Sequence, residues 1–419
     1  MSTSVSPPAI VLGLGANGYG IVRSLSRVGV RVTGLYARNE EFGRLSRRCA
    51  SRRLPPETLR DDASFVDALV AEARRLGQRP VVFATDDRHA LLLSEHQERL
   101  APHLRFHPVP RSTMRVLVDK AEMSRRCAAL GILAPRTHIT EPGEDLGRAA
   151  RSFSYPCIVK PSQSFGGDFP PGLKNFVAAS PEALAAFLAA YPSLAGHTIW
   201  QEIVPGGDDA IFQCTVLVSA RGATGGLCTI RKIHQYPPGF GITSLGRTEG
   251  NPDVVRESRR LLESLSYRGL ASLEFKRHGE AHYFIELNPR LPWYNALFAD
   301  AGVNLPYLAY RDLVGQPLEA PAQRNAVYWA SLAEDLGWLA RTRRRERVSF
   351  LAWLGGFAKA RSWAWWNWRD PLPALRAFFH LLGQAFARKG TGPDAPLSVQ
   401  AREPLSPPTP AGHLSRTDR

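Results

Sequence analysis

Residues 273–276 read LEFK and residues 284–290 read FIELNPR, and these two stretches decide the fold. Large apolar residues surround their acids, which is typical of two buried β-strands rather than of a solvated loop. Because side chains alternate along a strand, Glu286, Asn288 and Arg290 are expected on one side of the second strand. The sequence therefore predicts a polar face on an otherwise apolar sheet.

The acid of the first stretch is Glu274, so this pair of strands carries two carboxylates and an amide oxygen. Oxygen ligands of this kind suit Mg²⁺ that bridges nucleotide phosphates. The metal's charge would also let both carboxylates tolerate partial burial. In the alternative, Glu274 and Glu286 are surface residues of a solvated sheet face, which the apolar side chains between them disfavour.

Positive charge and a nucleotide-binding hinge are expected earlier in the chain. Lys160 ends the apolar strand 156–159, and the following SQSFGG at residues 162–167 predicts a glycine-containing flap over phosphates. Downstream, a β-like stretch at residues 198–204 leads to Asp208, so that backbone groups could meet adenine and an acid the ribose. Taken alone, each feature has a simpler interpretation. Lys160 would be a solvated lysine at the end of a strand, and the stretch up to Asp208 would be a strand and its turn.

The first 118 or so residues alternate strand and helix signals. The predicted strands are 10–14, 31–36 and 80–84, and the predicted helices are 19–28 and 63–76. This alternation is the pattern of a doubly wound parallel sheet in an α/β fold. From about residue 119 to 314 the pattern changes to longer strands and helices of an α+β kind.

Gly13, Gly15 and Gly18 form a GxGxxG motif between the first strand and the first helix. A site for NAD would need an acid at the end of the second strand, but residues 36–38 read YAR. Arg38 keeps an NADP site open, so an NAD(P)-dependent oxidoreductase stays as an alternative. The TDD at residues 85–87 follows another strand and predicts either ligand binding or a helix N-cap.

Taken in order, these segments resemble the ATP-grasp superfamily over roughly residues 5–315. The resemblance is closest to carboxylate-amine ligases of the D-aspartate ligase and carbamoyl-phosphate-synthetase-like kind. Its motifs here are VDK at 118–120, IVKP at 158–161, QEIVPGGD at 201–208 and the two stretches described first. It implies a pre-ATP-grasp domain at residues 1–118, which helps to bind substrate, and a two-lobed ATP-grasp domain at 119–318.

The resemblance also implies a role for each matching side chain. The residues that it implies around ATP are Lys120 and Lys160 at the phosphates, Gln201, Glu202 and Val204 at adenine, and Asp208 at the ribose. Glu274, Glu286 and Asn288 would coordinate magnesium, with two ions expected and Mn²⁺ able to substitute. Lys232, in RKIH at 231–234, would meet the γ-phosphate or an acyl phosphate, and Arg290 would grip the substrate carboxylate.

The implied reaction is ATP- and Mg²⁺-dependent ligation of a carboxylate to an amine through an acyl phosphate. The expected substrates are an amino acid or another small carboxylate, and an amine. One departure from the family is the flap SFGGDFPPG at residues 164–172, which is bulkier than the small-residue loops common there. The alternatives are the oxidoreductase above and a module that binds nucleotide without turnover.

The C-terminal part of the chain is basic and rich in tryptophan. Residues 321–419 hold 15 Arg or Lys and 7 Asp or Glu, so they carry +8 of the net charge of +15. Seven of the nine tryptophans lie between residues 329 and 368, and apolar residues recur at helical spacing over 372–386. These features predict a basic helical segment at residues 319–390, followed by a disordered tail at 391–419. Residues 329–389 would contact an anionic membrane or a protein partner, unless they pack on the enzyme; nucleic acid is the weaker option.

Composition points to a reducing compartment. The five cysteines include no CxxC pair, which argues against a zinc site and against a disulfide framework. The N-terminus lacks the basic region of a signal peptide, and no apolar run approaches the roughly 20 residues of a spanning helix. We therefore expect a cytoplasmic protein, soluble or peripheral at the inner membrane surface.

Overall fold

The computed structural model describes residues 6–162, 175–319, 321–343 and 348–387, with side chains as far as residue 383. The expected flap at 164–172 and the expected tail at 391–419 lie outside the described residues.

The N-terminal part is a four-stranded parallel sheet with helices on both faces. Its strands, in the order β3-β2-β1-β4, are β1 Ala9–Leu12, β2 Val32–Tyr36, β3 Ala50–Arg53 and β4 Val81–Ala84. Its helices are α1 Ala16–Ser26, α2 Asp62–Arg75, α3 Asp87–Glu95, α4 Gln97–Leu100 and α5 Arg111–Val118. Alternate residues of β1 pack on α1 and on α2, so all four are buried. The predicted doubly wound sheet is confirmed.

A second, antiparallel sheet follows and carries Lys160. Its strands, in the order β5-β8-β6-β7, are β5 Thr137–Ile139, β6 Cys157–Pro161, β7 Phe176–Ala178 and β8 Thr198–Glu202. The helices of this part are α6 Lys120–Leu130, α7 Leu146–Ser152 and α8 Pro181–Ala190. Trp200 and Phe187 are buried in the core between this sheet and helices α7 and α8. We call this part the small lobe.

The third sheet has seven strands and carries the predicted acids. Its strands, in the order β13-β12-β9-β10-β11-β14-β15, are β9 Ile211–Val218, β10 Thr224–Tyr236, β11 Ile242–Thr248, β12 Gly269–His278, β13 Ala281–Asn288, β14 Tyr328–Ala330 and β15 Ala360–Trp363. The helices are α9 Pro252–Ser264, α10 Ala296–Asp300, α11 Leu305–Leu313, α12 Leu332–Thr342, α13 Phe350–Phe357 and α14 Leu372–Ala387. We call this part the large sheet.

The C-terminal segment is not wholly helical, which corrects the sequence-based expectation. Strand β14 pairs antiparallel with β11, and β15 pairs parallel with β14, so the segment extends the large sheet. Trp329 on β14 is buried against Trp293 and Tyr294. Trp329 is therefore a core residue of the large sheet.

The same segment is tied to the N-terminal sheet by buried polar groups. Asp370 is fully buried and accepts hydrogen bonds from the Ser46 hydroxyl, from the Tyr19 hydroxyl at 3.2 Å and from the Arg47 backbone N–H at 3.2 Å. The Arg23 guanidinium on α1 donates 2.7 Å to the carbonyl of Trp363. Intramolecular packing thus accounts for much of this segment.

None of the helices in the described ranges is long and apolar enough to cross a membrane. All five cysteines are free thiols.

Replacing Asp370 with alanine tests this anchor. We expect Asp370→Ala to lower the free energy of unfolding by about 3 kcal/mol, because two buried hydroxyls and one half-buried backbone N–H lose their acceptor. Arg369→Ala is the matched control, since the neighbouring Arg369 is exposed. Thermal unfolding of both variants measures the effect, and equal melting temperatures would contradict the anchor.

Candidate active site

Polar side chains gather on one face of the large sheet. In the register of β12 and β13, Glu274 lies opposite Glu286 and Ser272 lies opposite Asn288. On its other side, Glu274 lies opposite Gln213 of β9. Residues paired across neighbouring strands point to the same face. The two carboxylates predicted from the sequence are therefore brought together.

Glu274 is held in a nearly dry ion pair. Its Oε2 lies 2.9 Å from Nζ of Lys232, which is only 3% exposed. It also accepts a hydrogen bond from the Gln213 amide, whose oxygen accepts one from the Tyr294 hydroxyl. Burial raises the pKa of Glu274, Lys232 opposes that rise, and the charge of Glu286 adds to it. The fold thus fixes the orientation of this carboxylate at an electrostatic cost.

Glu286 is more open, and the charges around it are positive. The Asn288 amide donates 2.9 Å to its Oε1. Surrounding protein pushes the pKa of Glu286 upward, but the hydrogen bond from Asn288 and the charges of Lys160, Lys232 and Arg290 outweigh this and hold it below its ordinary value. Glu286 is therefore ionised at neutral pH, with its side chain exposed.

The small lobe presents two lysines to these carboxylates. Lys160 is at the end of β6, where its Nζ donates 2.9 Å to Oε1 of Gln201. Burial lowers the pKa of Lys160, and the charges of Glu286 and Glu274 oppose that change. Lys120 begins α6, and burial and the charge of Lys160 lower its pKa to about 8. Two cations and two anions thus meet between the lobes.

Arg290 links this cluster to the N-terminal sheet. Its Nε donates 2.6 Å to Oδ1 of Asp87, the first residue of α3, and its guanidinium donates 3.2 Å to Oδ1 of Asn288. Burial lowers the pKa of Arg290, but Asp87 outweighs burial and raises it. Asp86 caps α3 by accepting 2.8 Å from the His89 N–H. Asp86 therefore caps helix α3, whereas Asp87 contacts Arg290 in the site.

Asp208 does not have the open carboxylate expected for a ribose ligand. Its oxygens accept hydrogen bonds from the Gln235 side chain at 2.8 Å and backbone at 3.2 Å, from Gly239 N–H at 2.9 Å and from Trp338 Nε1 at 3.0 Å. Four donors fill the capacity of a carboxylate. Asp208 fixes the loop after β10 through these contacts, and its expected role at the ribose stays a prediction.

The other hinge residues are placed as follows. The Gln201 side chain is buried between Lys160 and the Thr137 hydroxyl, to which its amide donates 3.2 Å. Glu202 lies 4.0 Å from Arg136, with 36% of its side chain exposed, and Val204 is buried. Gln201 therefore orients a lysine, whereas Glu202 stays accessible.

The GxGxxG motif forms the tight turn between β1 and α1. The carboxylate of Glu41 accepts hydrogen bonds from the N–H of Leu14, of Ala37 at 2.9 Å and of Arg38 at 2.8 Å. It thereby occupies backbone amides at the sheet edge where a dinucleotide would bind. Any side chain at Gly18 would collide with the Gly13 carbonyl, 1.9 Å from its Cβ position. Packing of the turn is thus sufficient to explain these glycines.

The donor set fits a hard metal ion only in part. Across residues that the structure describes, no three His, Cys, Asp or Glu side chains form a metal-binding group. Glu274 and Glu286 supply two carboxylates whose mutual repulsion helps to raise the pKa of Glu274. A divalent cation would relieve that repulsion, and its remaining ligands would have to come from a bound anion such as phosphate.

Comparisons with known proteins agree on the fold. No protein-family model matches the chain. It is 22% identical to D-aspartate ligase of Enterococcus faecium over 339 residues, which cover 73% of this chain and 76% of that protein. It is 26% identical over 181 residues to the arginine-specific large chain of carbamoyl phosphate synthase of Halalkalibacterium halodurans, covering 41% of this chain and 16% of that one. This second match therefore spans a small part of a much larger protein.

Solved structures extend the likeness. N5-carboxyaminoimidazole ribonucleotide synthetase from Thermus thermophilus superposes with a TM-score of 0.57 at 20% identity, covering 76% of this chain and 81% of that one. The biotin carboxylase domain of a Hydrogenobacter thermophilus 2-oxoglutarate carboxylase, solved with MgADP, gives 0.59 at 14% identity and covers 77% and 74%. The predicted resemblance is confirmed: the chain has the ATP-grasp fold of the carboxylate-amine ligases.

Replacing Lys120 with methionine tests whether the buried charge of Lys120 lowers the stability of the protein. The folded pKa of about 8 lies below the ordinary 10.5, so charging Lys120 costs stability below pH 8, and that cost fades as pH rises toward 10.5. We expect Lys120→Met to raise the melting temperature by about 2–4 °C at pH 7 and by less at pH 9.5.

Lys359→Met is the control, because Lys359 is exposed and lies beside the Tyr328 ring. Its melting temperature should not change at either pH. A lower melting temperature for Lys120→Met at pH 7, or a gain that grows with pH, would contradict the assigned cost.

Proposed function

We propose that the chain is an ATP- and Mg²⁺-dependent ligase that joins a carboxylate to an amine. The observation that carries this proposal is the meeting of Lys120 and Lys160 from the small lobe with Glu274 and Glu286 from the large sheet. Cations and metal-binding acids on opposite walls suit a nucleotide triphosphate between them. Similarity to D-aspartate ligase supports the reaction class.

ATP would bind with its phosphates at Lys120 and Lys160 and its adenine near Glu202 and Val204. Gln201 would act by holding Lys160 in place, as its 2.9 Å hydrogen bond suggests. Glu274, Glu286 and Asn288 would hold Mg²⁺, which supplies charge neutralisation to the phosphates when bound. The residues of both walls thus keep the triphosphate fixed and reduce the repulsion that an approaching anion meets.

Arg290 would bind the substrate carboxylate. Asp87 and Asn288 hold its guanidinium in one orientation while it carries a full charge. A carboxylate oxygen then attacks the γ-phosphorus, and the bond to the bridging oxygen breaks, so that ADP leaves with the electron pair. Lys232, paired with Glu274, is suited to stabilise negative charge on the transferred phosphoryl group.

The amine completes the reaction. Its nitrogen attacks the carbonyl carbon of the acyl phosphate, the bond from that carbon to the phosphate oxygen breaks, and phosphate leaves. The nitrogen loses a proton and an amide remains. The chemistry requires a site closed to water, because water would otherwise hydrolyse the acyl phosphate. We propose an amino acid or another small carboxylate as the activated substrate.

Glu286→Gln tests the proposal directly. We expect ADP release that requires both a carboxylate and an amine in the wild type, and a loss of about 100-fold or more in the variant, because the amide removes a charge needed to hold the metal. The readout is a coupled ADP assay over amino acids and small carboxylates, with condensation products identified by mass. Glu280→Gln is the control, since Glu280 is exposed on the turn between β12 and β13.

Two results would overturn this assignment. ADP release that Glu286→Gln leaves intact would remove the metal role of this acid. ATP binding with no turnover on any substrate pair would favour a nucleotide-binding module.

Arg290→Lys tests recognition of the carboxylate. We expect kcat/KM for the carboxylate to fall about 100-fold, because a lysine cannot keep the contacts with Asp87 and Asn288 and also present an N–H to the substrate. The affinity for MgADP should change by less than about threefold, since Arg290 is assigned to the substrate and not to the nucleotide. Arg277→Lys, an exposed position on β12, is the control. A loss confined to MgADP affinity would move Arg290 to the nucleotide.

A further inference from the structure

Helix α14 turns its large apolar side chains away from the protein. Its small residues Pro373 and Ala377 are buried against the body of the molecule. The large exposed side chains are Leu372, Leu375, Phe378, Phe379 and Leu382, with exposures from 37% to 60%. At about 100° per residue these five fall on one side of the helix, opposite the two buried residues. We call this set the outer face of α14.

A largely exposed tryptophan precedes the outer face along the chain. Trp368 precedes α14 by four residues and is 85% exposed. By contrast, Trp329, Trp338 and Trp353 are buried, and Trp365 stacks on Tyr19. Exposed large apolar groups that lie together mark an interaction surface more often than scattered ones do. The outer face and Trp368 therefore differ from these four tryptophans, which contact the body of the protein.

The charges that flank the outer face along the chain are positive. Arg369 and Arg376 are exposed, and the sequence from residue 371 to 393 contains no Asp or Glu. Asp370, the nearest acid along the chain, is fully buried and accepts hydrogen bonds within the protein. Two copies of such a face would bring like charges together, which opposes self-association. An apolar stripe flanked along the chain by basic residues complements an anionic lipid surface.

We propose that the outer face of α14 and Trp368 dock on an anionic membrane surface. The 16 residues of α14 would lie parallel to the membrane plane, about 24 Å long, with the outer face at the acyl boundary. Trp368 would sit at the headgroup level, where tryptophan is favoured, and Arg376 would face lipid phosphates. This inference does not depend on the proposed catalytic function, because lipid binding needs no nucleotide or substrate.

Vesicle flotation of the full-length protein tests this surface. The probe is phosphatidylcholine vesicles with about one quarter phosphatidylglycerol, compared with pure phosphatidylcholine, at about 0.15 M salt. We expect flotation with the anionic vesicles only, and a loss of about tenfold in Leu375→Ser/Phe379→Ser. Because both side chains are exposed, this variant should keep the wild-type melting temperature. Arg376→Glu should also weaken binding.

Leu351→Ser is the matched control, since Leu351 is 76% exposed but belongs to helix α13. It should float like the wild type. No flotation with anionic vesicles would overturn the proposal, and so would flotation that Leu375→Ser/Phe379→Ser leaves unchanged. A dimer that this double variant dissociates, without any lipid binding, would assign the surface to a second copy instead.

Discussion

The ion pair between Lys232 and Glu274, 2.9 Å apart and nearly closed to solvent, is the interaction on which the site depends. A buried charge is tolerated only with a partner and with its remaining hydrogen bonds satisfied. The Gln213 amide provides such a bond to Glu274, and the Tyr294 hydroxyl orients Gln213 by donating to its oxygen. The position of this carboxylate then fixes where Glu286 and the facing lysines can act. Charges that repel one another in the free protein are a common feature of sites prepared for a charged ligand.

The C-terminal segment supports the same site from behind. Trp338 of α12 donates a hydrogen bond to Asp208, which in turn holds Gln235 and Gly239. Asp335 of the same helix is fully buried and accepts hydrogen bonds from Ser244 and Trp353, and it lies 2.9 Å from His234. These contacts shape the loop that follows Lys232. Much of the segment is therefore part of the body of the protein, whereas the outer face of α14 is exposed.

Features that depend on neighbouring residues could be predicted from the sequence, whereas contacts between distant residues could not. Glu274, Glu286 and Asn288 were recognisable because strand alternation is a local property, and Lys160 because it ends an apolar strand. The pair formed by Arg290 and Asp87 joins residues 203 positions apart, and Trp338 reaches Asp208 across 130 positions. No local pattern encodes such contacts. Strands β14 and β15, with three and four residues, are likewise too short for a periodic signal.

The central claim is that Glu274 and Glu286 hold a metal together with a nucleotide. The most direct test measures Mn²⁺ binding by the decrease in the EPR signal of free Mn²⁺. Because the described residues place two carboxylates here and no third, we expect the wild type to take up Mn²⁺ strongly only when ADP is present. The same arrangement predicts that Glu274→Gln/Glu286→Gln loses this uptake while the chain remains folded. Uptake with ADP that the double variant retains in full would contradict the claim.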